Sequence, residues 1–376
     1  MAGEPSPLIR VFPADDGGCL GGHYRLIWPA QAAAAAGGNV HIGGPLHDVR
    51  ERRVEGGRIV DERVAVETDA DVVVYQRLVS RDVVDTIPHL QAAGVAVVVD
   101  IDDDLDALPK GHPYRAATSP TRERRRYPDG TVDDPDAKNR LWLREACRQA
   151  DLVTVSTPAL AQRYARHGRV AVLPNCIPTS YLAVTPPPHD GVRVGWTGSV
   201  ATHVDDLRVC GGGIREALRA SGASMWVVGT GVGVAAQLRL TTEPQATGWV
   251  DLDAYPAVYA GLDVALVPLQ PNAFNEAKSW LKGLEAAALG VPFVASPTGP
   301  YRALVDEGAG TLATSPDEWA RLVTLLALEP DERADLAGRG REVAARWTFD
   351  RHADRWLSAW HEALANRRRR KVPVIA

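Results

Sequence analysis

No Cys-x-x-Cys pair occurs in this chain of 376 residues. Its four cysteines, Cys19, Cys147, Cys176 and Cys210, are scattered, which argues against a zinc site and leaves reduced thiols in a cytoplasmic protein as the expectation. Also missing is any apolar run near the roughly 18 residues a bilayer crossing needs. The small-residue stretch 32–36 is far too short, so stable membrane insertion is not expected. The start lacks a positively charged segment leading into an apolar core, and no secretory signal is read there. An excess of one charge is absent too: 42 Lys and Arg stand against 47 Asp and Glu, a net charge of −5, which makes no general case for nucleic-acid binding. Only the end is biased. Asn366 is followed by four arginines and Lys371, a run that either meets anionic lipid or nucleic acid or lies solvated as a frayed terminus.

What is present is an ordinary globular composition, 45% hydrophobic and 24% charged, in a length that suits two or three domains or one two-lobed unit. Short β-branched runs alternate with helix-period segments. Strands are expected at 8–12, 39–42, 71–76, 95–101, 152–156 and 170–173, with helices at 24–36, 81–93, 137–150 and 158–167. These strands are apolar throughout, as in a parallel sheet covered on both faces. The pattern pauses at the prolines Pro174, Pro178 and Pro186–Pro188, plausible stiff connectors. It then resumes with strands at 192–196, 224–228, 263–269, 292–296 and 310–313. Helices are expected at 205–220, 252–260, 279–289, 317–328 and 330–347, and a last amphipathic helix, 350–365, carries Trp356, Trp360 and Leu364 at spacings of four. The reading is α/β, two Rossmann-like doubly wound domains with a cleft between two lobes. The first domain is placed at 1–185, the second at 186–347, the last helix at 348–366 and a basic tail at 367–376. Segment 110–136, with Arg122, Arg124, Arg125 and Arg126, is polar and aperiodic and reads as a flap or as plain disorder.

The chemistry concentrates after the strand at 263–269. Lys278, Lys282 and Glu285 are three or four residues apart, on neighbouring turns of one expected helix. A carboxylate able to accept two hydrogen bonds from a vicinal diol, beside two lysines able to meet phosphates, suits a sugar-nucleotide; a surface glutamate and a solvated lysine are the plain alternatives. Gly198 and Ser199 follow the first strand of the second half, where backbone N–H groups can face a phosphate, and His203 is near enough to add a hydrogen bond. Gly229 opens a Gly-x-Gly-x-Gly turn that lacks the spacing of a dinucleotide fingerprint. In the first half, Gly17, Gly18, Gly21 and Gly22 lie between the first strand and first helix, where backbone can approach a ligand. Asp100, Asp102, Asp103 and Asp104 end an apolar strand. Acceptor contact, helix capping and metal binding are all open to that cluster.

Taken in order, Asp151-Leu-Val-Thr-Val-Ser-Thr, Leu173-Pro-Asn, Val194-Gly-Trp-Thr-Gly-Ser and the block from Phe274 to Ser296 resemble the group 1 glycosyltransferases, retaining enzymes of the GT-B class, over about 150–360. The Gly-rich start and the Asp100–Asp104 cluster resemble actinobacterial and phage members. The resemblance implies that the C-terminal lobe binds a nucleotide-sugar donor, a UDP- or GDP-sugar with no metal required, and that the N-terminal lobe binds the acceptor. Glu285 stands where the family's E-x7-E motif has its second glutamate, which holds the ribose. The first position is Ala277, so Asn275, Glu276, Lys278 and Ser279 are expected to take over contacts to sugar or diphosphate. The arginine and lysine that many relatives carry after the first strand of that lobe are missing, so Lys278 and Lys282 are expected to supply the charge. Gly21 and Gly22 would face the donor phosphates, Trp249 and Val250 the base (with Trp249 as core the alternative), and Asp100, Asp102 and Asp103 the acceptor. The last helix would cross back to the N-terminal lobe.

The expected reaction is hexosyl transfer to an acceptor hydroxyl of a glycan, protein or small molecule, with leaving-group stabilisation by Lys278, Lys282 and the glycine-loop amides. Transfer to a hydroxylated DNA base, a non-catalytic nucleotide-sugar binder and a nicotinamide enzyme are the alternatives.

Overall fold

The computed structural model describes residues 6–14, 20–55, 58–119, 125–126, 132–133 and 139–370. The chain divides into two compact units, the first made of 1–106, 116–174 and 352–376, the second of 107–115 and 175–351.

The first unit contains β1 (Ile9–Phe12), β2 (Val40–Ile42), a hairpin of β3 (Leu46–Glu55) and β4 (Arg58–Thr68), β5 (Val72–Gln76), β6 (Ala96–Ile101), a short pair β7 (Arg125–Arg126) and β8 (Val132–Asp133), β9 (Leu152–Val155) and β10 (Val170–Val172). Six of these form one sheet in the order β10-β9-β6-β5-β1-β2, parallel at every pairing. Every residue of β5, β6 and β9 is buried, as a sheet with both faces covered demands. The strand order reverses at β1 and β5, and in open parallel sheets the carboxyl ends of the strands at such a reversal are where ligands bind.

The second unit repeats the scheme with β11 (Arg193–Gly198), β12 (Ser224–Gly229), β13 (Gln245–Ala246), β14 (Val264–Val267), β15 (Phe293–Ala295) and β16 (Thr311–Leu312). Its order is β13-β12-β11-β14-β15-β16, again parallel throughout, with the reversal between β11 and β14. Val194, Trp196, Val227, Val264, Leu266, Trp319 and Val323 form the core on one side of this sheet. Helix Pro316–Leu328 is started by Ser315, whose side chain accepts from the Glu318 N–H, and it presents Trp319, Leu322, Val323 and Leu326 to that core at helical spacing.

The expected strands are all present. The helices are more broken than their periodicity suggests. Segment 205–220 is a 3-10 turn, Asp206–Cys210, and a helix, Gly213–Ser221, separated where Gly211 takes φ +55°. The segment expected at 24–36 opens with a π-turn, His23–Ile27. The hairpin β3–β4 was not expected, because its sequence is charged at most positions. The last helix, Phe349–Arg369, runs beyond the expected end. Its Trp356, Trp360 and Ala363 are buried. Arg367 and Arg370 bring their guanidinium groups to the Asp151 carboxylate at 3.6 and 3.1 Å, and Asn366 donates to the Asp151 carbonyl. The basic tail is therefore bound through Arg370 and not frayed there; 371–376, the parts 120–124, 127–131 and 134–136 of segment 110–136, and Gly17, Gly18 and Cys19 lie outside the described residues.

Candidate functional site

In the second unit the site is built on two glycines. Gly198 and Gly229 pair across β11 and β12 and both have φ +133°, a conformation open to glycine and strained for other residues. A Cβ on Gly229 would stand 2.2 Å from the Gly198 carbonyl oxygen, and one on Gly198 would meet the Lys282 Nζ at 3.0 Å and His203 at 3.1 Å. The missing side chains thus leave room for other groups at the strand ends. Ser199 accepts from the Ala201 N–H through Oγ, and its carbonyl takes the His203 N–H, which turns the chain back over β11.

Into that space the helix Leu281–Ala288 projects Lys282. Its Nζ donates to the Thr197 carbonyl at 2.5 Å and to His203 Nε2 at 2.9 Å, and lies 5.3 Å from the Trp196 ring centroid. His203 Nδ1 in turn donates to Asp206 Oδ2 at 2.9 Å. Asp206 Oδ1 accepts from the Gln270 N–H and from Asn275 Nδ2, so this carboxylate ties the turn after β11 to the loop after β14, across the strand-order reversal. Burial, with Lys282 beside it, pushes the His203 imidazolium down to about 3; the ring is neutral, its Nδ1 protonated and its Nε2 an acceptor. Burial also pushes Lys282 down, to about 7, with Lys278 adding repulsion and Asp206 and Glu285 opposing it. Asp206 resists burial: hydrogen bonds from His203 and the Gln270 amide hold its carboxyl below the usual range.

Lys278 does not share the helix of Lys282 and Glu285, contrary to expectation. It lies in the turn between Ala273–Glu276 and Leu281–Ala288, its Nζ 4.4 Å from the Phe274 ring centroid. Asn275 is buried and commits both amide hydrogens, to Asp206 and to the Gln270 carbonyl, so it braces the loop. Ser279 accepts from Asn175 Nδ2, and Glu276 accepts from the Gly299 N–H. Glu285 is only 2% exposed and accepts from the Tyr255 hydroxyl at 3.2 Å. Burial, reinforced by this carboxylate, raises Tyr255 and Tyr259 well above the ordinary phenol range. Beyond β13, Trp249 is 72% exposed, which removes the alternative that it is core; Val250 is partly buried.

In the first unit Gly21 sits at the strand-order reversal, its carbonyl accepting from Gln76, within reach of Arg77 and Asp102. Asp100 is not available to an acceptor. It is buried and bound by Arg25 at 3.0 and 2.8 Å and by Thr154 at 2.7 Å; burial raises its carboxyl, with Arg25 opposing. Asp102 and Asp103 are partly exposed and both accept from Arg77. Gly22 is buried at the helix start. Arg77, Arg25, Tyr255 and Asp206 are not singled out by the sequence. Asp206, three residues after His203, was the one with a visible signal. Among the described residues no cluster of three or more His, Cys, Asp or Glu could hold a metal ion, and no helix is long and apolar enough to cross a membrane.

The unit that carries these groups matches a family model, Glycosyl transferases group 1, over residues 191–328. Residues 191–328 thus resemble a group 1 glycosyl transferase domain. A relative from Saccharomonospora viridis, named D-inositol 3-phosphate glycosyltransferase, is 37% identical over 111 residues, 29% of this chain. The chain covers about a quarter (25%) of that relative's length. Among solved structures, the catalytic domain of Starch Synthase IV from Arabidopsis thaliana, bound to ADP and acarbose, aligns over 96% of this chain and 100% of that one at TM-score 0.57 and 12% identity. Anabaena HepE in complex with UDP and glucose aligns over 77% and 78% at TM-score 0.51 and 17% identity. The expected fold, two parallel-sheet units of the GT-B class, is thereby borne out.

Proposed function

We propose that this group 1 domain works within an enzyme that moves a sugar from a nucleotide-sugar, a UDP- or GDP-sugar as the resemblance implies, to an acceptor hydroxyl with retention at the anomeric carbon. The observation that carries the reading is the conjunction at the carboxyl ends of β11 and β12: two glycines with φ +133° and the Lys282 Nζ held where a side chain on Gly198 would stand. Such a place accommodates a diphosphate, with Lys282 and Lys278 for charge and the Gly198–Ser199 backbone for close approach. Glu285 takes the ribose diol once the Tyr255 hydroxyl gives way, and Trp249 with Val250 meets the base. Asp102 and Asp103 of the first unit serve the acceptor. The cationic groups act on the departing diphosphate, stabilising charge that develops as the glycosidic bond breaks. The neighbours bound to UDP and to ADP support a nucleotide site and leave the base open.

A thermal-shift panel with UDP, GDP, dTDP, ADP and NAD, each with and without magnesium, tests this. Stabilisation by one nucleoside diphosphate, independent of magnesium, is expected, and at 100 times the Kd it amounts to about 2.7 kcal/mol. A response to NAD alone would overturn the reading. Anomeric configuration, read by NMR on the product of the matching nucleotide-sugar, tests retention.

A further inference from the structure

We propose that His203 and Asp206 are positioning residues that hold the Lys282 ammonium over the end of β11 for the diphosphate of a nucleotide ligand, and that binding draws a proton onto Lys282. The proposal rests on the donor-site reading above and goes beyond it in naming the device that sets the lysine's place and charge.

The geometry is a chain of three groups. Asp206 is fixed first, because one of its oxygens accepts from Gln270 and Asn275; its other oxygen takes the His203 Nδ1 proton. That bond selects the tautomer whose Nε2 lone pair faces Lys282, 2.9 Å away. An imidazole protonated at both nitrogens would turn a donor toward the lysine and expel it. The Thr197 carbonyl supplies a second acceptor, and the absence of a Cβ on Gly198 supplies the space. Among the described residues no acidic side chain hydrogen-bonds the Lys282 Nζ: its partners here are a carbonyl and a neutral ring, which orient an ammonium without neutralising it.

The groups facing Lys282 balance closely. Lys278, from the preceding turn, disfavours its charge, while Asp206, from the turn after β11, and Glu285, on its own helix, favour it. Tyr259 donates to the Lys282 carbonyl and Tyr255 to Glu285; both phenols stay protonated. With burial added, the lysine sits at about 7 without ligand. A diphosphate would add negative charge beside it and raise that value, so between pH 7 and 9 binding and protonation are linked: the ligand favours Lys282 with its proton, and each further unit of pH makes that proton harder to obtain.

The test is isothermal titration of the full chain with UDP, GDP and ADP from pH 7.5 to 8.5, where the diphosphate group is almost fully ionised, in buffers of different ionisation enthalpy. The wild type is expected to take up close to one proton at pH 8.5 and to lose about tenfold in affinity per pH unit. Asp206→Asn should move the onset of that loss to lower pH. His203→Leu should weaken binding at least tenfold at pH 8.5, and His203→Gln, which can still donate to Asp206 and accept from Lys282, should recover part of it. Circular dichroism and thermal melting check that each variant folds; should His203→Leu not fold, the wild-type proton uptake and the Asp206→Asn profile decide. Tight binding that is flat with pH and without proton uptake overturns the proposal and leaves the donor site standing. Binding of nucleotide by folded His203→Leu at wild-type affinity overturns it as well. Absence of binding by UDP, GDP and ADP alike at pH 7.5, where the lysine still carries a sizeable protonated fraction, overturns the donor-site reading and this proposal with it.

Discussion

At the scale of single residues, Glu285 separates two accounts of the donor site. Its carboxylate is buried and accepts from Tyr255, an arrangement that serves either as a brace between two helices or as a ribose acceptor waiting behind a phenol. Glu285→Gln keeps the shape and one acceptor oxygen but removes the charge that makes hydrogen bonds from a diol strong. The ribose role predicts a loss of 10- to 100-fold in nucleoside diphosphate affinity, the equivalent of about 1.5–3 kcal/mol for hydrogen bonds to a charged group, with little change in melting temperature. The bracing role predicts the reverse: a lowered melting temperature and unchanged affinity. Glu285 and Lys282 were legible in the sequence as residue types at a spacing. The neutral ring of His203, the turn that carries Lys278, and the burial of Asp100 against Arg25 were not, because each is set by a partner distant along the chain.

At the scale of elements, the β-branched runs at β1, β5, β6, β9, β11, β12, β14 and β15 announced themselves, since strands buried on both faces have no polar alternation to confuse them. The hairpin β3–β4 escaped for the opposite reason: Arg50, Glu51, Arg52 and Arg53 dominate β3 and hide its strand pattern. The last helix was legible in its tryptophans and misjudged at its end. Asp151 has a fully buried side chain, accepts from the Val97 N–H and from Gln91, and meets Arg367 and Arg370 from that helix. Ending the chain at Ala365 removes both arginines and strands the carboxylate, which costs about 3–5 kcal/mol when a buried pair is broken. Ending it at Arg370 removes only the residues beyond. Urea unfolding followed by tryptophan fluorescence should show a lower midpoint for the first truncation and an unchanged one for the second; equal midpoints would mean that the arginines are merely solvated.

At the scale of the whole molecule, charge decides which acceptors are plausible. Transfer to a hydroxylated DNA base requires the chain to hold a polyanion, and each phosphate neutralised by Lys or Arg adds to affinity by releasing counterions. The net charge is −5. The basic run at the end, which would be the natural place for such contacts, has Arg367 and Arg370 committed to Asp151 and leaves Arg368 and Arg369 exposed. Two neighbouring arginines, even with Lys371 added, give a shallow salt dependence and weak attachment, whereas six to ten phosphate contacts would lose about a thousandfold or more in affinity between 50 and 200 mM salt. A gel shift with duplex DNA carrying hydroxymethylated bases should therefore show no retention at 150 mM salt and little at 50 mM. Retention at 150 mM that falls steeply with added salt would put DNA back among the acceptors and direct attention to Arg122, Arg124, Arg125 and Arg126. No retention leaves the acceptor to be sought among glycans, proteins and small hydroxyl compounds, which hydrogen bonding, and not bulk charge, would have to select.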